Sequence, residues 1–294
     1  MLRAKLLRLG YLLIKRGAWY FAPFSWLYAL AVFCRNQLYN YRLLPTFKVN
    51  PVVVSVGNIV AGGTGKTPFV HLLAKTFAHR RVAILSRGYG KMPDEAMLLA
   101  RRLPNVKVYA GKDRVALAKA ADADLIILDD GFQYRKLQRD FDIVLVRQEK
   151  EHYLPWGFLR DSPKRLKGVE AISTADLRLT VKRILDLQGR EVPSIRGWKV
   201  GIFCGIANPE NFKQTVRDLG AEIVGEKIFA DHEAADLSKL PKASAFICTE
   251  KDFVKLPPTD LPIYFLEMEM LAPRWEKLIE KIDQKIDNRP TYER

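Results

Sequence analysis

Residues 58–68 read Asn-Ile-Val-Ala-Gly-Gly-Thr-Gly-Lys-Thr-Pro, directly after the apolar run Val52-Val53-Val54-Ser55-Val56 and directly before a helical pattern from Phe69 to Phe77. A strand, a glycine-rich loop and a helix in that order leave few options for the fold. Glycines let backbone N–H groups close around phosphates, and the helix N-terminus adds partial positive charge. On this reading Gly62, Gly63, Thr64 and Gly65 cradle a nucleoside triphosphate, Lys66 reaches its outer phosphates, and the Thr67 hydroxyl ligates Mg²⁺. The strict pattern has glycine six positions before the lysine, where this chain has Val60. The competing interpretation is a glycine-rich turn without chemical use.

Beyond the loop, β-rich runs alternate with helical patterns, as in a parallel sheet wound with helices. Strands are expected at Val52–Val56, Val82–Ser86, Val106–Tyr109, Leu125–Asp129 and Asp142–Arg147, with helices at Pro68–Ala78, Glu95–Arg102 and Arg114–Ala121. The pattern weakens around Lys164–Ala175, and Asp176–Leu187 resembles a linking hairpin. A second α/β pattern follows, with strands near Trp198–Phe203, Glu222–Phe229, Ala245–Thr249 and Pro262–Glu267 and a last helix at Ala272–Ile286. The expected fold class is therefore α/β: a phosphate-loop sheet, a smaller α/β lobe and an N-terminal helix. The corresponding divisions are 1–40, 41–175 and 176–294.

The formal charge of +15 is localised: the first acidic residue is Asp94, whereas residues 1–93 carry fourteen Lys/Arg. A basic end on an otherwise balanced globule points to an anionic surface met in one orientation. On a helical wheel Lys5, Arg8, Lys15 and Arg16 share an arc of about 100°, beside one holding Leu2, Leu6, Leu9 and Leu13. The aromatic-rich segment Ala18–Cys34 follows, with Pro23 expected to kink it. As a helix its length is about 25 Å, short of a hydrocarbon core of about 30 Å, so it is expected to lie in or dip into the membrane interface. A cleaved signal peptide ending near Ala29-Leu30-Ala31, or an apolar helix packed on the protein's own core, are the alternatives. Nucleic acid is not an expected partner, because the cations interleave with an aliphatic stripe. Cys34, Cys204 and Cys248 are scattered, lack metal-ligand spacing and fit a reducing compartment.

Asp129 and Asp130 end the apolar run Leu125–Leu128, where phosphate-loop enzymes face the loop-bound Mg²⁺, although Asp-Asp-Gly alone is commonly a turn. Ser86-Arg87-Gly88-Tyr89-Gly90 stands at a strand end, where Arg87 either approaches a phosphate or lies in a turn. His232 follows Asp231 in what reads as a loop, and Thr249-Glu250-Lys251-Asp252 is a candidate for adenine contact.

These segments together with Gly57-Asn58, Asp94-Glu95, Gly131-Phe132-Gln133, Leu154-Pro155 to Leu159-Arg160 and Asn208-Pro209 resemble, in order and spacing, the tetraacyldisaccharide 4′-kinase family of lipid A biosynthesis. That family's loop also lacks the first glycine. The resemblance implies ATP- and Mg²⁺-dependent phosphorylation of the 4′-hydroxyl of tetraacyldisaccharide 1-phosphate, giving lipid IVA. It implies a monomer attached peripherally or monotopically to anionic lipids on the cytoplasmic face of a Gram-negative inner membrane. It places the catalytic carboxylate on Asp94 with His232 as partner; from the loop and strand ends, Lys66 and Asp130 are expected to support them, and Arg87 and Arg160 are candidates toward substrate. Two departures stand out: Lys91-Met92-Pro93 alone bridges two motifs usually farther apart, and Trp156 and Phe158 occupy positions where smaller residues are common. The rival class is a membrane-bound partitioning-type ATPase, whose loop carries an additional early lysine; here residues 59–61 are Ile-Val-Ala.

Overall fold

The computed structural model describes residues 19–87, 94–147, 152–206, 209–229, 233, 235–273 and 275–289. Among these, 19–178 and 271–289 pack as one unit, and 179–270 as a second.

The first unit is built on six parallel strands: β1 Val52–Gly57, β2 Val82–Ser86, β3 Lys107–Ala110, β4 Leu125–Asp129, β5 Phe141–Val146 and β6 Glu170–Ser173. Their order is β3-β2-β4-β1-β5-β6, so β1 lies between β4 and β5. Every residue of β1, β2 and β4 is buried, as expected of parallel strands covered on both faces. The helices are α1 Ala22–Asn40, α2 Lys66–Thr76, α3 Asp94–Arg102 and α4 Arg114–Ala120. At Gly57 the chain leaves β1 so close to the following turn that a Cβ there would lie 2.5 Å from Phe132 Cβ.

The second unit has five strands in the order β7-β11-β10-β8-β9: β7 Arg178–Asp186, β8 Lys199–Cys204, β9 Glu222–Ile228, β10 Ala245–Thr249 and β11 Ile263–Leu271. Helix α5 spans Pro209–Asp218 and the single-turn α6 Glu250–Phe253. The segment expected to form a linking hairpin contributes β7 to this sheet, where Arg183 pairs with Glu267 of β11 at 2.7 Å, and turns back at its end, with Leu185 bridging Glu191 antiparallel.

Two expectations need correction. The last helix, α7 Glu276–Asp287, belongs to the first unit, so a division running from 176 through 294 does not hold. Its buried Leu278, Ile282 and Ile286 recur every four residues, and Trp275 packs edge-on to Phe69. Arg80 of the same unit bonds Asp283 and Asp287 at 2.9 and 2.7 Å, and Arg289 donates to the Pro51 carbonyl at 2.9 Å. Pro23 does not kink the N-terminal segment either. It lies in the first turn of α1, where its missing N–H would have no intrahelical partner anyway.

Helix α1 shows two unlike sides. Ser25, Val32 and Asn36 are buried, and the attachment is largely polar. Ser25 accepts from the Trp156 N–H at 2.9 Å; Arg35 and Asn36 donate to the fully buried Asp161 at 3.2 and 3.0 Å. The opposite side exposes Phe24, Trp26, Leu27, Leu30 and Phe33, Trp26 to 69%. Among the described residues no helix is long and apolar enough to cross a membrane.

Candidate active site

The loop after β1 owes its shape to partners that are distant in sequence. Val60 pairs with Leu159 in an antiparallel bridge, the Ala61 N–H bonds the Phe158 carbonyl at 2.7 Å, and the Arg160 N–H bonds the Ile59 carbonyl at 2.8 Å. Residues 59–61 are thus pinned to 158–160 through this one bridge, and Val60 is buried with Ile59, Phe132, Val144 and Leu159. A β-branched residue suits that pairing better than glycine, which accounts for the departure from the strict loop pattern. Asn58 then fixes the far end: its side chain donates to Thr64 Oγ1 at 2.8 Å, while Gln133 donates to its carbonyl at 2.8 Å.

Gly65, at φ 78°, turns the chain into α2 in a conformation that favours glycine, and no side chain caps the helix. The first N–H groups of α2 are therefore presented to an anion. Lys66 opens the helix with Nζ 3.5 Å from Asp130 Oδ1. Burial lowers its proton affinity, and the attraction of Asp130 opposes that effect.

Asp129 and Asp130 both lie at this end of the sheet. Asp130 has φ 52°, which costs a non-glycine residue about 1–3 kcal/mol and is held by its surroundings. Arg160 Nη1 donates to Asp130 Oδ2 at 3.0 Å, and Arg160 Nη2 also bonds Oδ1 and Asn58 Oδ1. Burial pushes the Asp130 carboxyl up, but the Arg160 hydrogen bonds and the Lys66 charge outweigh it and hold the group below its ordinary value. Asp129 is pushed the other way, to about 6, by burial first and the adjacent Asp130 second. Its side chain meets Ser86 Oγ at 3.5 Å.

Two further residues of this site carry no motif that the sequence reading used. Arg114, the buried first residue of α4, donates to the Asp129 carbonyl at 2.9 Å and lies 4.2 Å from the centre of the Tyr134 ring. Arg147, just past β5, donates to the Gly63 carbonyl at 2.9 Å. In a trans peptide the C=O and the next N–H point in opposite directions, so this bond turns the Thr64 N–H away from Arg147.

Of the expected site residues, the structure gathers Gly62, Gly63, Thr64, Gly65, Lys66, Thr67, Asp129, Asp130 and Arg160 around β1, β4 and the start of α2. Arg87 is exposed just beyond β2. Asp94 begins α3, with its side chain outside the described residues; Gly88–Pro93 and His232 also lie outside them. In the second unit, Thr249 caps α6 by accepting from the Asp252 N–H, and buried Asp252 takes the Gly205 N–H at 3.0 Å.

A family model described as LpxK, tetraacyldisaccharide-1-P 4′-kinase, matches residues 17–287. The chain belongs to the tetraacyldisaccharide-1-P 4′-kinase family. A tetraacyldisaccharide 4′-kinase from Syntrophus aciditrophicus is 33% identical, over 84% of this chain and 87% of that one. Another, from Chlamydia pneumoniae, is 31% identical over 92% of each. The crystal structure of LpxK from Aquifex aeolicus in complex with ATP is 30% identical and superimposes with a TM-score of 0.78, covering 90% of this chain and 98% of that one.

For a kinase of this family, Arg147 is an informative position to vary. Arg147→Met removes a charge-assisted bond to the loop, of a kind that contributes about 1.5–3 kcal/mol, and should raise KM for ATP by about tenfold. Arg147→Gln, which keeps a donor, should recover part of the loss. Steady-state rates at varied ATP check this; a KM within twofold of wild type in the Met variant would show that the loop keeps its shape unaided.

Proposed function

We infer that this chain transfers the γ-phosphoryl group of ATP to the 4′-hydroxyl of tetraacyldisaccharide 1-phosphate, the step of lipid A biosynthesis that yields lipid IVA. The observation that carries this is the family match over residues 17–287, on a chain whose phosphate loop, Lys66 and paired aspartates converge. Lys66 and the uncapped start of α2 would hold the outer phosphates, which is most of what phosphoryl transfer asks of a protein.

The donor set fits Mg²⁺. Among the described residues no group of three or more His, Cys, Asp or Glu forms a metal cage. Mg²⁺ in such enzymes is held by one or two carboxylates and a loop hydroxyl together with phosphates. Thr67, Asp129 and Asp130 would be those groups, and a dication beside Asp129 would offset the burial that raises its proton affinity. When bound, the ion would neutralise charge on the phosphates.

Asp94, with His232 as partner, is the base we assign to the sugar hydroxyl; the support is the resemblance of Asp94-Glu95 and Asp231-His232 to the family's motifs. Arg87 and Arg160 are assigned toward substrate, although Arg160 also braces Asp130. The enzyme would work as a monomer on the cytoplasmic face of the inner membrane, attached peripherally or monotopically through the exposed side of α1.

The decisive experiment incubates purified protein with γ-labelled ATP, Mg²⁺ and tetraacyldisaccharide 1-phosphate. Label is expected in the lipid; label released only as inorganic phosphate would favour the partitioning-type ATPase. For attachment, Trp26→Ser combined with Leu30→Ser should weaken binding to neutral phosphatidylcholine vesicles at least tenfold, since each side chain contributes about 1.5–3 kcal/mol when buried. Unchanged flotation would show that α1 does not dock.

A further inference from the structure

Beside the C-terminal end of α1 lies a cavity of about 310 Å³ with Arg135, Arg139, Arg165, Lys164 and Lys167 on its wall. Asp142 is the one carboxylate among the described residues lining it. Two of the cations are balanced. Arg139 is matched by Asp142 through bonds of 3.0 and 3.1 Å, and Arg165 pairs with buried Asp161 while lying 3.9 Å from the centre of the Phe132 ring.

The other three form no ion pair among the described residues, although Arg135 lies 5.0 Å from the centre of the Tyr39 ring and is attracted by Asp161. Arg135 donates to neutral acceptors, the Asn36 carbonyl at 3.1 Å and Asn40 Oδ1 at 3.0 Å. Burial, with repulsion from Arg135 and Arg139, draws the Arg165 guanidinium down to about 10 against the attraction of Asp161. Lys164 and Lys167 are exposed at its rim, so the cluster turns an uncompensated positive field toward an approaching anion. An arginine fork and two lysine point charges are suited to the oxygens of a phosphodiester. The volume, about ten times a water molecule's share of the liquid, leaves room for one.

Location indicates which phosphodiester. Asn40 forms part of the cavity wall, and exposed Leu38, Tyr41 and Leu43 (41%, 71% and 70%) surround that end of the helix, continuing the apolar surface that begins at Trp19. The edge of such a surface is where headgroups meet hydrocarbon. The phosphate loop is not its neighbour along α1: Tyr28 meets the Arg160 carbonyl at 3.3 Å, and Asn40 stands twelve residues, about 18 Å of helix, farther on.

We propose that this cavity receives the phosphate headgroup of an anionic bilayer phospholipid when α1 lies on the membrane. The proposal rests on the docking of α1 described above. It adds a headgroup site to the preference for anionic lipid expected of Lys5, Arg8, Lys15 and Arg16.

The test compares full-length wild type, Lys164→Ser/Lys167→Ser and a control of equal charge, Lys277→Ser/Lys285→Ser on α7, on vesicles of pure phosphatidylcholine and of phosphatidylcholine with phosphatidylglycerol. Juxtamembrane lysines act within about a Debye length, so the cavity variant should lose about tenfold to thirtyfold in affinity for the anionic vesicles. It should bind neutral vesicles as wild type does, and the control should lose threefold or less. Retained ATP binding in both variants verifies folding. If the cavity variant and the control lose equally, the cavity proposal falls while α1 docking stands. If wild type binds neither kind of vesicle, docking falls and the cavity proposal with it.

Discussion

Lys66→Ala should lower turnover by at least about 10²–10³, the usual consequence of removing one preorganised cationic or hydrogen-bonding group from a site where charge develops. The fold should tolerate the change. Breaking a buried ion pair destabilises mainly by leaving a charge without compensation, but Asp130 would keep Arg160, whose Nη1 donates to Oδ2 at 3.0 Å. Removing the lysine also relieves the burial that lowers its proton affinity. The melting temperature should therefore move by only a few degrees, and vesicle binding through α1 should be unaffected. Lys66→Arg should not restore activity, because a planar fork does not replace a compact ammonium where the loop closes on phosphate. Turnover within tenfold of wild type in Lys66→Ala would overturn the assignment of this loop to ATP.

The strands and helices nearest the loop were legible because they depend on local pattern. Fully apolar runs such as Leu125–Leu128 mark buried parallel strands, and glycines between a strand and a helix mark a phosphate turn. What escaped the sequence depends on partners far along the chain. Val60 looks like an irregular loop residue until Leu159 pairs with it. Arg114 and Arg147 bond backbone carbonyls, which have no signature in a list of side chains. The stripe Leu278, Ile282 and Ile286 announces an amphipathic helix without naming the sheet it covers; α7 joins the first unit through residues such as Phe69 and Arg80, some two hundred positions away. For Pro23, the composition of the segment was readable but the helix start was not, and only the start separates a kinking proline from a tolerated one.

Asp94→Ala should lower turnover by about 10²–10⁴, the range for losing a positioned general base, while ATP still binds. His232→Ala should cost less if the imidazole acts through Asp94. The double variant should then lose less than the product of the two single losses, since residues that act as one unit are not additive. Single-turnover rates at saturating ATP, with nucleotide affinity measured separately, distinguish this from a binding defect. Fully multiplicative losses would mean that the two residues do not act together. Wild-type turnover from Asp94→Ala would mean that the short bridge Lys91-Met92-Pro93 has carried this carboxylate away from the sugar hydroxyl. Asp130 would be a poor replacement as it stands: its Oδ2 accepts from Arg160 at 3.0 Å, and its Oδ1 faces both Arg160 and Lys66, the latter at 3.5 Å. A carboxylate with both oxygens facing cations has little affinity left for a proton. If Asp94 failed, Asp130 could take its place only after bound ATP had drawn both Arg160 and Lys66 from its oxygens, and Asp130→Asn would then lose turnover by as much as Lys66→Ala.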